Sequence, residues 1–163
     1  DGPHEAIIEK DIVRLQMNDV TEITKFESDY FINTGSPHYV RFVLNVRDLN
    51  VTSEGGKVRW ADDFKPDGTN VNFVELTDTG IFVRTFERGV EDETLACGTG
   101  SIASALVTAF KNKSVSPIKV ITRSGGVLAI HFREDNGRFY DVYLEGDARV
   151  IYKGELWEDA WRY

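Results

Sequence analysis

Cys97 is the only cysteine in 163 residues, and it stands in Glu93-Thr94-Leu95-Ala96-Cys97-Gly98-Thr99-Gly100, directly ahead of an apolar stretch. If that stretch is a helix, the thiol sits where the first backbone N–H groups have no internal partners and the macrodipole is positive. Such an end holds a carboxylate well, and Gly98 and Gly100 let a ligand approach the backbone. The same field favours a thiolate, so Cys97 is expected to titrate below the ordinary thiol value of about 8.5. A thiol near neutrality can give or take a proton. Without context a lone cysteine reads as a small buried hydrophobe. Here two glycines weaken the first helical turn, which a purely structural helix would gain nothing from, and the functional reading is preferred.

Glu87-Arg88-Gly89 closes an apolar strand, and an adjacent Glu and Arg could clamp an ammonium and a carboxylate. A surface ion pair of little energetic weight is the plainer reading. Gly68-Thr69-Asn70-Val71-Asn72-Phe73 and Thr34-Gly35-Ser36-Pro37-His38 read as turn-like entries to strands, where Asn70, Ser36 and His38 would cap the backbone. No Cys/His spacing offers a metal site, and no pattern suggests a nucleotide or pyridoxal cofactor.

The elements that must position these residues are mostly strands. Ala6 to Leu15, Asp29 to Ile32, Tyr39 to Val46, Val71 to Thr77, Ile81 to Glu87, Ile118 to Thr122, Val127 to Phe132 and Phe139 to Glu145 are rich in β-branched and aromatic residues. Gly55-Gly56, Asp67-Gly68, Asp78-Thr79-Gly80, Gly125-Gly126, Asn136-Gly137 and Gly146-Asp147 mark turns between them. Hairpins are expected at 124 to 127 and 135 to 138. Gly98 to Lys111 is the exception: Ile102, Ala103, Ala105, Leu106, Val107, Ala109 and Phe110 leave almost no polar face, so the helix should be buried all round. Its small residues would let strands approach on several sides. The expected fold class is α+β, a mostly antiparallel curved sheet or barrel wrapped around one buried central helix. A flat sheet with the helix on one face is the competing arrangement, and it predicts a polar stripe that the helix lacks.

The net charge is -8, with 19 basic against 27 acidic residues and no Lys/Arg cluster, which argues against nucleic acid as a partner. One cysteine makes no internal disulfide, so a cytoplasmic location is favoured. No apolar run approaches the roughly 18 to 20 residues that span a bilayer. The start at Asp1-Gly2-Pro3 is polar and turn-like, as expected of a cut at an interdomain linker and equally of a processed full-length protein.

Taken in order, Gly35-Ser36-Pro37-His38, Gly68-Thr69-Asn70-Val71-Asn72-Phe73, Arg84-Thr85-Phe86-Glu87-Arg88-Gly89 and Glu93 through Gly100 resemble the C-terminal half of the diaminopimelate epimerase family. The resemblance runs from about Asp29 to Val150. It implies a cofactor-independent isomerase of lysine and cell-wall precursor synthesis that converts LL-2,6-diaminopimelate to the meso form. In that family two pseudo-symmetric domains each supply one catalytic cysteine, and the substrate lies between them. By resemblance Cys97 is one member of the acid/base pair. Glu87 and Arg88 bind the ammonium and carboxylate region of the reacting centre, Asn70 hydrogen-bonds substrate, and Gly98 and Thr99 offer N–H groups to the α-carboxylate. Ser36 and His38 are weaker candidates for substrate contact.

Residues 1–149 are then the C-terminal, cysteine-bearing domain, and 150–163 a strand or tail packing toward a missing N-terminal domain of the same protein. The chain alone is expected to be inactive. A small-molecule amino acid is the expected substrate, and a second copy of the chain is a further candidate partner. Two features depart from the family: Ser36 stands where Asn is common, and the 89–93 link is longer. Proline or hydroxyproline racemases share the same two-thiol logic, and a non-catalytic amino-acid-binding module is the reading from a different class.

Overall fold

A computed structural model of the chain describes residues 3–160. Among them, eleven strands and two α-helices follow one another as β1 (Ala6–Glu9), β2 (Ile12–Gln16), β3 (Ile23–Phe26), β4 (Asp29–Asn33), β5 (Pro37–Phe42), α1 (Val51–Arg59), β6 (Asn70–Thr77), β7 (Gly80–Glu87), β8 (Asp92–Thr94), α2 (Gly98–Asn112), β9 (Ile118–Ile121), β10 (Val127–Asp135) and β11 (Arg138–Asp147). The strands form one mixed sheet in the order β1-β2-β11-β10-β9-β7-β6-β5-β4-β3. The pairs β5–β6 and β7–β9 are parallel and the other pairs antiparallel. The short β8 shares one edge of β7 with β9.

The all-apolar helix is α2. Each residue from Gly100 to Ala109 is buried, and strands β4 through β7 and β9 through β11 all touch it. A helix on one face of a flat sheet could not bury its whole circumference, so the sheet curves round α2 as expected. It does not close into a barrel: β1 and β3 remain unpaired edges at the two ends of the path. Val20 exchanges two backbone hydrogen bonds with Phe139 (2.8 and 2.7 Å) before the chain passes from β2 to β3.

The strand alternation sorts two cores onto the two faces of β5, β6 and β7. Val40, Val74, Ile81 and Val83 join Ile102, Leu106 and Val107 on the α2 side. Tyr39, Val71, Phe73, Phe82 and Phe86 join Val51 of α1 on the other. Burial on both faces explains why these strands read as nearly continuous apolar runs.

Several expectations need correction; Gly146-Asp147, for one, lies inside β11 rather than in a turn, and the strand expected from Tyr39 to Val46 ends at Phe42. The fold has a second helix, α1, and Gly55-Gly56 lies inside it rather than in a turn. Asn50 caps α1 by accepting from Ser53 N–H at 3.1 Å, and a Cβ at Gly55 would overlap the Phe86 side chain. That glycine serves helix–sheet contact. Ala6 to Leu15 is two strands, folded back at Lys10, which adopts φ 57°. β3 and β8, of four and three residues, were too short to stand out in the sequence. The expected hairpins at 124–127 and 135–138 are present, the second turning on Asn136 and Gly137 at φ 51° and 80°.

Beyond β11, Val150, Ile151, Tyr152, Leu156 and Trp157 are exposed and belong to no strand. Trp161 and Tyr163 lie outside the described residues. No described helix is long and apolar enough to cross a membrane.

Candidate active site

Pairing register gathers the polar residues of β5, β6 and β7 under the first turn of α2. In the parallel β5–β6 ladder His38 lies beside Asn70 and Val40 beside Asn72. In the antiparallel β6–β7 ladder Asn72 lies opposite Thr85. Because side chains alternate, His38, Asn70, Asn72 and Thr85 share the face that carries Val40, Val74 and Val83 toward α2. His38 and Asn72 are completely buried. The helix start is pressed onto this layer, since a Cβ at Gly100 would overlap Asn72 Oδ1. Close approach, rather than turn geometry, accounts for that glycine.

Cys97 is the N-cap residue of α2, in an extended conformation, and its side chain makes no capping bond. Its carbonyl accepts from Ser101 N–H and Oγ–H at 2.9 and 2.8 Å. The thiol is thus left out of helix capping, with Sγ 3.6 Å from Thr99 Oγ1. The loop that delivers it is anchored by Glu93, which receives both arms of Arg84 at 2.6 and 2.7 Å and Arg123 at 3.0 Å. Arg84 also donates to the carbonyls of Val46, Arg47 and Leu49, tying this loop to the segment that enters α1.

Burial pushes the Cys97 thiol above its ordinary value, and the Glu87 charge pushes it further. The Thr99 hydroxyl and the N–H groups of Thr99 and Gly100 pull it down by less. This corrects the expectation of a lowered thiol: the helix N-terminus acts in the expected direction, and desolvation outweighs it.

The remaining candidates converge on the same end of α2. Glu87 ends β7 and its charge bears on Cys97. Arg88 follows, its charge bearing on His38. Among the described residues neither of these side chains has an ion-pair partner, so the pair is not the surface salt bridge of the plainer reading. Asn70 accepts from Arg88 N–H and donates to Pro37 O, both at 2.8 Å, so its amide joins the end of β7 to the start of β5. Ser36 Oγ lies 3.0 Å from His38 Nε2 and donates to Thr99 Oγ1 at 3.3 Å. A Cβ at Gly98 would come within 3.3 Å of Leu144. Two participants escaped the sequence reading: Asn72, which spans His38 and Thr85, and Thr85 itself. The spacing of Asn70 and Asn72 by two, which places both on one face of a strand, is the signal that could have found the first.

A sequence profile described as diaminopimelate epimerase matches residues 30–151. The chain belongs to the diaminopimelate epimerase family. The diaminopimelate epimerase of Flavobacterium psychrophilum is 42% identical over 155 residues, 94% of this chain and 60% of that protein. That of Aquifex aeolicus is 47% identical over 135 residues, covering 82% and 47%. The chain therefore spans about half to three-fifths of the length of these relatives. A crystal structure of a hydroxyproline epimerase from Agrobacterium vitis with bound trans-4-hydroxy-L-proline superposes with a TM-score of 0.53 at 17% identity, over 88% of this chain and 52% of that one. At that identity the likeness is one of fold, and it is the diaminopimelate-epimerase fold that the four sequence motifs imply.

Proposed function

We propose that this chain supplies the Cys97 side of an active site that epimerises LL-2,6-diaminopimelate to meso-diaminopimelate, with no cofactor, by proton transfer between two thiols. The observation that carries this reading is a half-buried thiol at the start of α2, its side chain making no capping bond, with the negative charge of Glu87 bearing on it.

An α-proton of an amino acid is very weakly acidic, so inversion needs a base on one face of the carbon and an acid on the other. Burial and Glu87 keep Cys97 protonated near neutrality. In the resting state described here Cys97 is therefore the acid: its S–H proton passes to the α-carbon while a thiolate on the opposite face removes the original proton. The reverse turnover exchanges the roles, and before and after each turnover the two sulfurs carry one proton between them. Glu87 would hold the substrate ammonium, and binding that cation would cancel the charge now raising the thiol. Arg88 and Asn70 would hold the carboxylate region. The N–H groups of Gly98 and Thr99 would stabilise negative charge as it spreads into the α-carboxylate.

The second thiol would come from sequence outside this chain, in keeping with the greater length of the relatives. The exposed Val150, Ile151, Tyr152, Leu156 and Trp157 would meet that other half.

The test is the conversion of LL-diaminopimelate, followed by separating the stereoisomers, with the complete protein, with its Cys97→Ala variant and with the 163-residue chain alone. Conversion is expected only with the complete unmodified protein. Unimpaired conversion by Cys97→Ala, or preference for proline over diaminopimelate, would overturn the assignment.

A further inference from the structure

The amide of Asn72 has only one acceptable orientation. One of its terminal atoms lies 3.1 Å from Tyr39 O, a carbonyl that can only accept, and so must be the N–H₂ group. The other accepts from Thr85 Oγ–H at 3.0 Å. The same Nδ2 lies 3.1 Å from His38 Nδ1. Burial drives the pKa of His38 down to about 3, with the Arg88 charge acting the same way against the Asn72 bond, so the ring is neutral at any working pH. A neutral ring that accepts at Nδ1 carries its proton on Nε2. Nε2–H then donates to Ser36 Oγ at 3.0 Å. Ser36, its lone pair engaged, turns its own hydrogen to Thr99 Oγ1 at 3.3 Å. Thr99 in turn is left to donate to Cys97 Sγ at 3.6 Å.

We propose that Asn72, His38, Ser36 and Thr99 form a one-way chain of hydrogen bonds whose donors all point toward Cys97 Sγ, making Asn72, His38 and Ser36 positioning residues for the thiolate. The inference rests on the reading of Cys97 as the proton-transfer group. The chain gives the completely buried His38 a role that it exerts through its neighbours. It also gives Ser36 a role of its own. A hydroxyl at this position both accepts from His38 and donates onward through one atom, which a side-chain amide would do only through two separate atoms. Polarisation along linked hydrogen bonds strengthens the last one, on the sulfur, most when the sulfur is ionised. A stabilised thiolate makes Cys97 the better base in the direction of turnover that requires it. Two charged groups bear on the chain from outside, Glu87 on Cys97 and Arg88 on His38. Both are left in place by the variants below.

The test uses the pH dependence of iodoacetamide alkylation, quantified on the Cys97-containing peptide by mass spectrometry so that any other thiol is separated out. Thr99→Val removes the final donor and should lower alkylation at neutral pH by roughly tenfold, as the midpoint moves up about one unit. Ser36→Ala should move it the same way by about threefold, and Thr99→Ser and Ser36→Thr should restore the original midpoint. Nitrogen-15 shifts of the His38 ring in the unmodified protein give an independent reading that needs no variant. They should show Nε2 protonated and Nδ1 bare. A ring protonated on Nδ1, or a folded Ser36→Ala protein whose alkylation midpoint equals that of the unmodified one, overturns the proposal. Neither readout involves turnover, so loss of the hydrogen-bond chain and loss of the epimerase assignment are separate results.

Discussion

The two ends of α2 meet the same three strands and treat them differently. At the far end β5, β6 and β7 present Val40, Val74, Val83 and Ile81 to Leu106, Val107 and Ala109, with Ile130 and Phe139 closing the layer. At the near end the same faces of the same strands present His38, Asn70, Asn72 and Thr85, all at least nine-tenths buried. Apolar burial yields roughly 25 cal/mol per Å². A buried hydrogen bond nets only about 1 kcal/mol, and a lost partner costs about 1 to 3 kcal/mol. A fold selected for stability alone would carry the apolar pattern through both ends. The difference assigns the far end to holding the structure and the near end to Cys97.

The largest effect that could break this division is at the far end. Leu106→Ala removes a fully buried side chain from the centre of the enclosing sheet and should cost about 2 to 5 kcal/mol in denaturant unfolding. A loss below about 1 kcal/mol would mean that α2 is not the centre of the core.

A smaller effect, and a signed one, belongs to the near end. The folded His38 binds its proton only near pH 3, against 6.5 for an ordinary histidine. Between those values the unfolded chain holds more protons, so His38 contributes stability above about pH 6.5 that is lost as the pH falls toward 3. At about 1.4 kcal/mol per unit, the contribution lost by pH 5 is about 2 kcal/mol. Carboxylates such as Glu145, held low by Arg14, weaken the fold in acid as well. The informative quantity is therefore the difference between the parent protein and His38→Gln, measured by thermal or denaturant unfolding across pH 7 to 4.5. The variant should show the shallower acid loss. Equal slopes would place a charged or solvated histidine at this position.

The same division marks what the sequence makes legible. The far end is written in local pattern: the unbroken apolar run of α2 implies enclosure, and Asn136-Gly137 announces its hairpin through positive φ. The four motifs of the near end are legible as a family resemblance, and the structure brings Cys97, Thr99, Ser36, His38, Asn70, Glu87 and Arg88 to one end of one helix. Their connections are not legible. Ser36 reads as a turn residue until the β5–β6 register sets His38 beside Asn70. The direction of the Cys97 shift depends on how deeply neighbours cover it, which no spacing reveals. Helix α1 is hidden for a related reason: Gly55-Gly56 follows the local rule for a turn, whereas Gly55 answers to Phe86, thirty-one positions along the chain.

Proton transfer at Cys97 is the central step of the proposed reaction. The direct measurement is exchange of the α-hydrogen of LL-diaminopimelate in deuterated water, followed by proton NMR with the complete protein and its Cys97→Ala variant. Deuterium is expected at the inverted carbon of the meso product with the unmodified protein, and formation of that deuterated meso product should fall at least about 10²-fold with the variant. Equal rates of deuterated meso-product formation for the two proteins would show that another group delivers the proton.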